Sequence, residues 1–372
     1  MKKILYVATV VKMHIMEFHI PYLKMLKEMG WETAVAARND YDISEDCVIP
    51  YCDTYYNVPF ERSPVRTGNI KAYKTLKKII DEGKFDIVHC HTPVGAMIAR
   101  IAARGSRRTG TNVIYTAHGF HFFKGAPLIN WLLYYPVEWI CAWMTDTLIT
   151  INKEDYALAI KRMHAKKIEY VPGVGIDLKK FSSVVLDSKK KRETLGIKKD
   201  GCVLLSVGEL NENKNHSVVI RAIAKLNNPN IYYVICGQGK LINAHKKLAK
   251  DLGISSNVIL TGYRTDVEEF YKMADIYVLP SLREGLNVSL MEAMTSGLPI
   301  ICGRIRGNTD LIAEDKSGGI LVTSDKEEEY IQAIESIVNN RIKGIEMGAT
   351  NQRKMQEFST DVVVKRVIEM YH

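Results

Sequence analysis

The chain has 372 residues, 47% apolar and 25% charged, with 51 Lys and Arg against 42 Asp and Glu for a net charge of +9. That balance excludes a disordered, collagen-like or disulfide-stapled chain, because ample apolar area is available for a packed core. The length accommodates two domains of roughly 170–190 residues, each able to build its own core.

In chain order, short β-branched apolar runs alternate with longer amphipathic stretches. The first half predicts strands at 2–9, 32–37, 86–91, 112–117, 146–151 and 167–172. The second half predicts strands at 202–207, 231–236, 257–262, 275–280, 299–302 and 318–322. Continuous apolar runs separated by helical patterns indicate parallel sheets covered on both faces. Two such series indicate an α/β protein of two doubly wound domains facing each other across a cleft. The periodicity breaks at Val171-Pro172-Gly173-Val174-Gly175, and the basic run Lys189-Lys190-Lys191-Arg192 follows. The first domain is therefore expected over 1–172, a linker over 173–200 and the second domain over 201–354. An amphipathic helix at about 355–372 could pack on either domain, packing back on the first being one option.

The chain begins with the strand-like Lys2-Lys3-Ile4-Leu5-Tyr6-Val7-Ala8 and has no signal-peptide pattern. No apolar run reaches the roughly 18 uninterrupted residues of a membrane span. Seven irregularly spaced cysteines, mostly in apolar runs, read as free thiols in a reducing compartment. A cytoplasmic protein is expected.

Residues 65–110 carry ten Lys and Arg (Arg66, Lys71, Lys74, Lys77, Lys78, Lys84, Arg100, Arg104, Arg107, Arg108) against three acids. This is either a solvated face or a surface for an anionic partner. Nucleic acid is set aside, because no nucleic-acid motif is present and aromatics do not interleave with the patch. Trp131, Tyr134, Tyr135, Trp139 and Trp143 fall in one stretch. They read as a core helix or as an interfacial surface, and the second reading joins the basic patch in favouring an anionic inner-membrane surface.

Ligands of open α/β sheets bind at the carboxyl ends of the strands. After the strand at 275–280 comes Ser281-Leu282-Arg283-Glu284-Gly285-Leu286-Asn287-Val288-Ser289. Asn287 or Ser289 would cap the following helix, whose N-terminal N–H groups and positive dipole end suit phosphate. Glu292 stands eight residues beyond Glu284, at most about 12 Å along a helix. Lys214 lies in an Asn-rich turn after 202–207, where a point charge suits phosphate. Gly237-Gln238-Gly239 follows 231–236 as a tight turn, not a dinucleotide fingerprint. Tyr263-Arg264 follows 257–262, where a flat base would meet backbone groups.

In this order these positions resemble the nucleotide-sugar site of family 4 glycosyltransferases. The Glu-x7-Glu spacing, the Lys turn, the Gly-Gln-Gly turn and Glu292-Ala293-Met294-Thr295-Ser296-Gly297-Leu298-Pro299 carry the likeness. It implies the GT-B fold of two Rossmann-like domains and sugar transfer with retention of configuration. It assigns Glu284 to the donor sugar, Glu292 to the ribose, and Lys214 with the backbone of Gly285, Leu286, Asn287 and Val288 to the diphosphate. Gly237 lines the turn beneath, and the Tyr263-Arg264 backbone reads the base. Glu209 stands where the wider family often has Arg, so altered phosphate handling is expected.

In the first half, His118 follows the strand at 112–117 in Thr116-Ala117-His118-Gly119-Phe120. By itself it reads as readily as a structural residue; the resemblance places it on the donor sugar or phosphate. His121 and Lys124 are weaker candidates, and Lys12 and His14 could meet an acceptor diphosphate. Asp86–Gly95, Thr116–Pro127 and Thr150–Asp155 look most like the branch that builds lipid-linked repeat units for bacterial exopolysaccharide and capsule. His89, Cys90 and His91 look metal-like, but adjacent strand residues alternate faces, so no metal set is read. Asp40-Tyr41-Asp42 matches an Asp-x-Asp metal signature of another fold and is taken as coincidence. No metal or cofactor beyond the donor is expected, since Lys214 and helix N–H groups would carry the leaving-group charge.

The expected function is transfer of a sugar, N-acetylhexosamine by resemblance, from a UDP-sugar to a polyprenyl-diphosphate-linked saccharide acceptor. The alternatives are a UDP-sugar epimerase of the same fold and a catalytically silent nucleotide-binding scaffold.

Overall fold

The computed structural model describes residues 1–61, 63 and 66–371, which divide into two units. The first holds residues 1–175 and the C-terminal helix Thr360–Glu369. Its parallel sheet contains β1 (Lys3–Val10), β2 (Glu32–Arg38), β3 (Thr54–Asn57), β4 (Ile87–Cys90), β5 (Asn112–Ala117), β6 (Thr147–Thr150) and β7 (Lys167–Tyr170). Their order is β3-β2-β1-β4-β5-β6-β7, so the winding reverses between β1 and β4. β3 lies outside the strands expected from sequence. It is four residues long, half-exposed and at the sheet edge, so it needs no apolar run.

Both sheet faces are apolar because successive residues of β1 feed opposite sides. Leu5 and Val7 pack with Ala72, Leu76 and Ile80 of the helix Gly68–Gly83. Ile4, Tyr6 and Ala8 pack with Leu23 and Leu26, and with Val363, Val364, Val367 and Ile368 of the C-terminal helix. That helix starts at Thr360, not near 355; a separate helix, Arg341–Met355, and the short 3-10 turn Gln356–Phe358 precede it in the second unit. His372 lies outside the described residues.

The second unit, Ile176–Ser359, has a parallel sheet of β8 (Cys202–Val207), β9 (Ile231–Cys236), β10 (Val258–Gly262), β11 (Ile276–Leu279), β12 (Ile300–Gly303) and β13 (Gly319–Val322). The order β10-β9-β8-β11-β12-β13 reverses between β8 and β11. Residues 176–200, expected as linker, belong to this unit. Ile176 N donates to Phe358 O at 2.9 Å, and Phe181 and Ile197 are buried in its core. The basic run is pinned: Lys191 pairs with Asp266 and Glu269, and Arg192 with Asp275. A basic segment with fixed acidic partners reads as linker only while those partners are unknown.

Candidate functional site

Reversals of winding open a crevice at the carboxyl ends of the strands on either side. In the second unit those strands are β8 and β11, and their loops carry Lys214 and Glu284. The two side chains meet, Lys214 Nζ to Glu284 Oε1 at 2.7 Å, with 16% and 13% of each exposed. Asn211 caps the turn bearing Lys214 by accepting from Lys214 N at 3.0 Å. Asn213 ties the same turn to the other loop, donating from Nδ2 to Arg283 O at 2.9 Å and accepting from Leu282 N at 2.8 Å.

Asn287, not Ser289, caps the helix Val288–Thr295, accepting from Leu290 N at 2.9 Å. Ser289 instead donates to Val207 O and bonds Tyr277, anchoring the helix start to the end of β8. The first N–H groups of such a capped helix lack partners within the helix, so this end suits an anion. On the same helix Glu292 accepts from the buried Tyr271 hydroxyl at 2.7 Å.

Two glycines are fixed by space. A Cβ on Gly237 would lie 1.9 Å from Gly208 O, and one on Gly307 would lie 1.9 Å from Gly285 O. Gly307 also has φ +77°, where a side chain is strained. Gly307→Ala is expected to displace the 284–287 loop, cost about 2 kcal/mol of stability and weaken UDP binding, read by thermal melts and a UDP titration. Tyr263 is exposed, and Arg264 is locked on Asp266 by contacts of 2.7 and 2.6 Å. Glu209 is exposed. Sequence reasoning missed Arg306, which donates from Nε to Glu284 O at 3.1 Å and so holds the loop from the far side. Its position after β12 gives no local signal.

In the first unit, the helical segment after β1 (Val11–Ile15 and its continuation to His19) and the loops after β4 and β5 bring His14, His19, His91 and His118 together, one ring nitrogen from each lying within 4.8 Å of the others. His118 is half-buried and His91 buried, with His91 Nδ1 and His118 Nε2 3.2 Å apart. The loop beyond His118 is held by Asp155, which accepts from Phe120 N at 2.9 Å and from Asn152 Nδ2 at 2.8 Å. His89 points to the same side as His91, and Cys90 to the opposite core. Both His89 nitrogens are used, on Tyr371 at 2.6 Å and Thr116 at 2.8 Å. Burial lowers the imidazoles of His14 to about 3 and His118 to about 4, and His19 and His91 well below their usual value. All four are neutral at pH 7.

Asp40 of the Asp-x-Asp run accepts from Lys12 N at 2.6 Å and Met13 N at 3.4 Å, a structural cap. His121 stacks on Tyr134, and Lys124 N donates to Glu154. The basic patch shrinks, because Arg100 is buried on Glu138 at 2.8 Å and Arg107 pairs with Asp146 at 2.9 Å. The aromatic helix Leu128–Ala142 divides: Trp131, Tyr134 and Tyr135 pack on the core, whereas Trp139 and Trp143 are exposed.

Residues 3–152 match the family described as Glycosyl transferase 4-like, and residues 187–355 the family described as Glycosyl transferases group 1. EpsD of Bacillus subtilis (strain 168), named as a glycosyltransferase, is 39% identical over 376 residues, covering 100% of this chain and 96% of EpsD. The chain is a family 4 glycosyltransferase. The enzyme is also 31% identical over 307 residues to the Escherichia coli UDP-Gal:alpha-D-GlcNAc-diphosphoundecaprenol alpha-1,3-galactosyltransferase, covering 80% of this chain and 77% of that one. Its fold is GT-B. Anabaena HepE, in a crystal structure with UDP and glucose, aligns with TM-score 0.82 at 16% identity over 100% of this chain and 99% of HepE. WaaG, a glycosyltransferase of lipopolysaccharide biosynthesis, aligns with TM-score 0.76 at 18% identity over 99% of each chain. Among the described residues of the enzyme, no helix is long and apolar enough to cross a membrane.

Proposed function

We propose that the enzyme transfers a sugar, with retention of configuration, from a UDP-sugar to a polyprenyl-diphosphate-linked saccharide in exopolysaccharide or capsule assembly. The observation that carries this reading is the Lys214–Glu284 pair beside the Asn287-capped helix at the switch point of the second sheet. A diphosphate entering there competes with Glu284 for Lys214. Lys214 turns to the diphosphate with the helix N–H groups, and Glu284 is released to accept from sugar hydroxyls. The same cationic groups stabilise UDP as it departs, while the acceptor hydroxyl attacks from the leaving-group face. Glu292 takes the ribose hydroxyls and the Tyr263-Arg264 backbone the base. His118 is assigned to the donor by resemblance alone, and no metal or cofactor is assigned to the transfer itself. Support for a UDP-sugar and a lipid diphosphate comes from the HepE complex and from the acceptor in the name of the Escherichia coli relative.

We also propose peripheral attachment to an anionic membrane, a reading supported by the exposed apolar side of the helix Leu128–Ala142. Leu128 is 81% exposed, Leu132 71%, Leu133 59% and Ile140 55%, beside exposed Trp139 and Trp143. Arg107 donates to Trp143 O, which puts a positive charge at the C-terminal end of this apolar face. Leu132→Glu with Ile140→Glu is expected to weaken binding to vesicles containing phosphatidylglycerol at least about tenfold, with an unchanged thermal midpoint. Vesicle sedimentation at two salt concentrations checks it.

The donor assignment is tested by ligand-observed NMR with UDP-, GDP- and ADP-sugars, including UDP-N-acetylglucosamine and UDP-galactose. UDP release is then followed with a polyprenyl-diphosphate-linked acceptor. Selective UDP-sugar binding and acceptor-dependent release are expected. Conversion of one UDP-sugar into another without acceptor, or binding with no turnover, would overturn the reading.

A further inference from the structure

We propose that His14, His19, His91 and His118 form a binding site for a divalent d-block cation, zinc by preference, at the switch point of the first sheet. Three independent observations carry this. First, the geometry converges: the nitrogens lie within 4.8 Å of one another, and the 3.2 Å between His91 and His118 already matches the ~3.3 Å edge of a tetrahedron with ~2.0 Å zinc–nitrogen bonds. Side-chain rotation of the half-buried His14 and His118 closes the remainder.

Second, the cluster holds buried nitrogens without partners. His14 Nε2 and both nitrogens of His19 have no hydrogen-bond partner, and one nitrogen from each of these rings is free to ligate beside His91 Nδ1 and His118 Nε2. An unsatisfied buried polar atom costs about 1–3 kcal/mol, and here several share one small volume. A bound cation would take up the free imidazole lone pairs among them. Third, His19, His91 and His118 line a pocket with Tyr6, His89 and Thr116 that has room only for a water- or ion-sized occupant.

The surroundings behave as an outer shell. His91 stacks on Tyr6 at 5.7 Å. His89 holds Thr116 and Tyr371, and Tyr371 bonds Tyr6 at 2.7 Å, so the wall behind the ligands is fixed down to the C-terminal helix. All-imidazole donors suit zinc, copper, nickel or iron and exclude magnesium and calcium, which take oxygen. Sequence spacing gives no hint, because the ligands come from three chain segments that only the sheet order brings together. Coordination through His118 Nε2 leaves its Nδ1 for the donor sugar, and the site stands whether or not the donor reading holds.

The test uses the purified full-length chain, stripped with chelator and titrated with Zn²⁺ or Co²⁺. Metal content is read by mass spectrometry and geometry by the visible ligand-field bands of Co²⁺. One equivalent is expected, with tetrahedral cobalt bands and no binding of Mg²⁺. His91→Gln should weaken zinc by at least the roughly 10–100-fold that even an outer-shell loss costs. His14→Gln, at the half-buried edge, decides the matter if His91→Gln does not fold. His164→Gln, on the stacked surface pair with Trp143, should bind as the parent does. Folded parent protein that takes up no zinc or cobalt would overturn the proposal. So would undiminished binding in both His91→Gln and His14→Gln.

Discussion

Lys214→Met is expected to lower turnover with a UDP-sugar by about 10²–10³-fold, the usual loss when one preorganised charge at a leaving group is removed. Glu284→Gln is expected to lower kcat/KM comparably while folding normally, because Arg306 holds the backbone carbonyl of residue 284 rather than its side chain. The two differ in stability. Lys214→Met strands a carboxylate that is 13% exposed, which costs about 1–2 kcal/mol after allowance for solvent screening. Glu284→Gln keeps a hydrogen-bond acceptor for Lys214 and costs less. Initial rates of UDP release and thermal melts measured on the same preparations separate the effects. Parent-like kcat/KM in both variants would remove the pair from the donor site.

Glu138→Ala is expected to destabilise the first unit by about 3–5 kcal/mol, because it leaves a buried guanidinium without its counter-charge. Arg100 is 1% exposed, its NH2 group lies 2.8 Å from Glu138 Oε2, and its plane covers Tyr115 at 4.1 Å. Tyr115 also donates to Glu138 at 3.3 Å. In a unit of this size the loss corresponds to a fall of roughly 10–15 °C in Tm. Replacing both partners with Met should recover most of it, since matched apolar groups remove the stranded charge rather than expose it. Calorimetry of the single and double variants checks the coupling. The pair joins the helix Pro93–Ala102 to the exposed apolar helix Leu128–Ala142. Its loss should therefore also disorder the surface proposed to meet lipid.

The donor-side elements were legible in the sequence because each is short-range. Asn287 caps a helix that begins at the next residue, and Glu284 and Glu292 frame that same turn. Twelve of the strands were read from apolar runs; only β3, a polar edge strand, escaped. Local residues could not reveal that Arg100 is buried, because its partner stands 38 residues away. Nor could they place Trp131 inward and Trp139 outward on one helix, which depends on the face the core covers.

By itself the sequence determined the two βα series, the capped helix and the residue types at the strand ends, since these follow from periodicity and contacts within about ten residues. The tertiary structure decided which strand ends become neighbours. By setting β4 beside β1, and β11 beside β8, it joined His91 to His14 and Glu284 to Lys214. It also returned Val363 to Tyr371 to the first core. Such pairings are fixed by burying both faces of a parallel sheet, a demand met by the whole chain and written in no single segment of it.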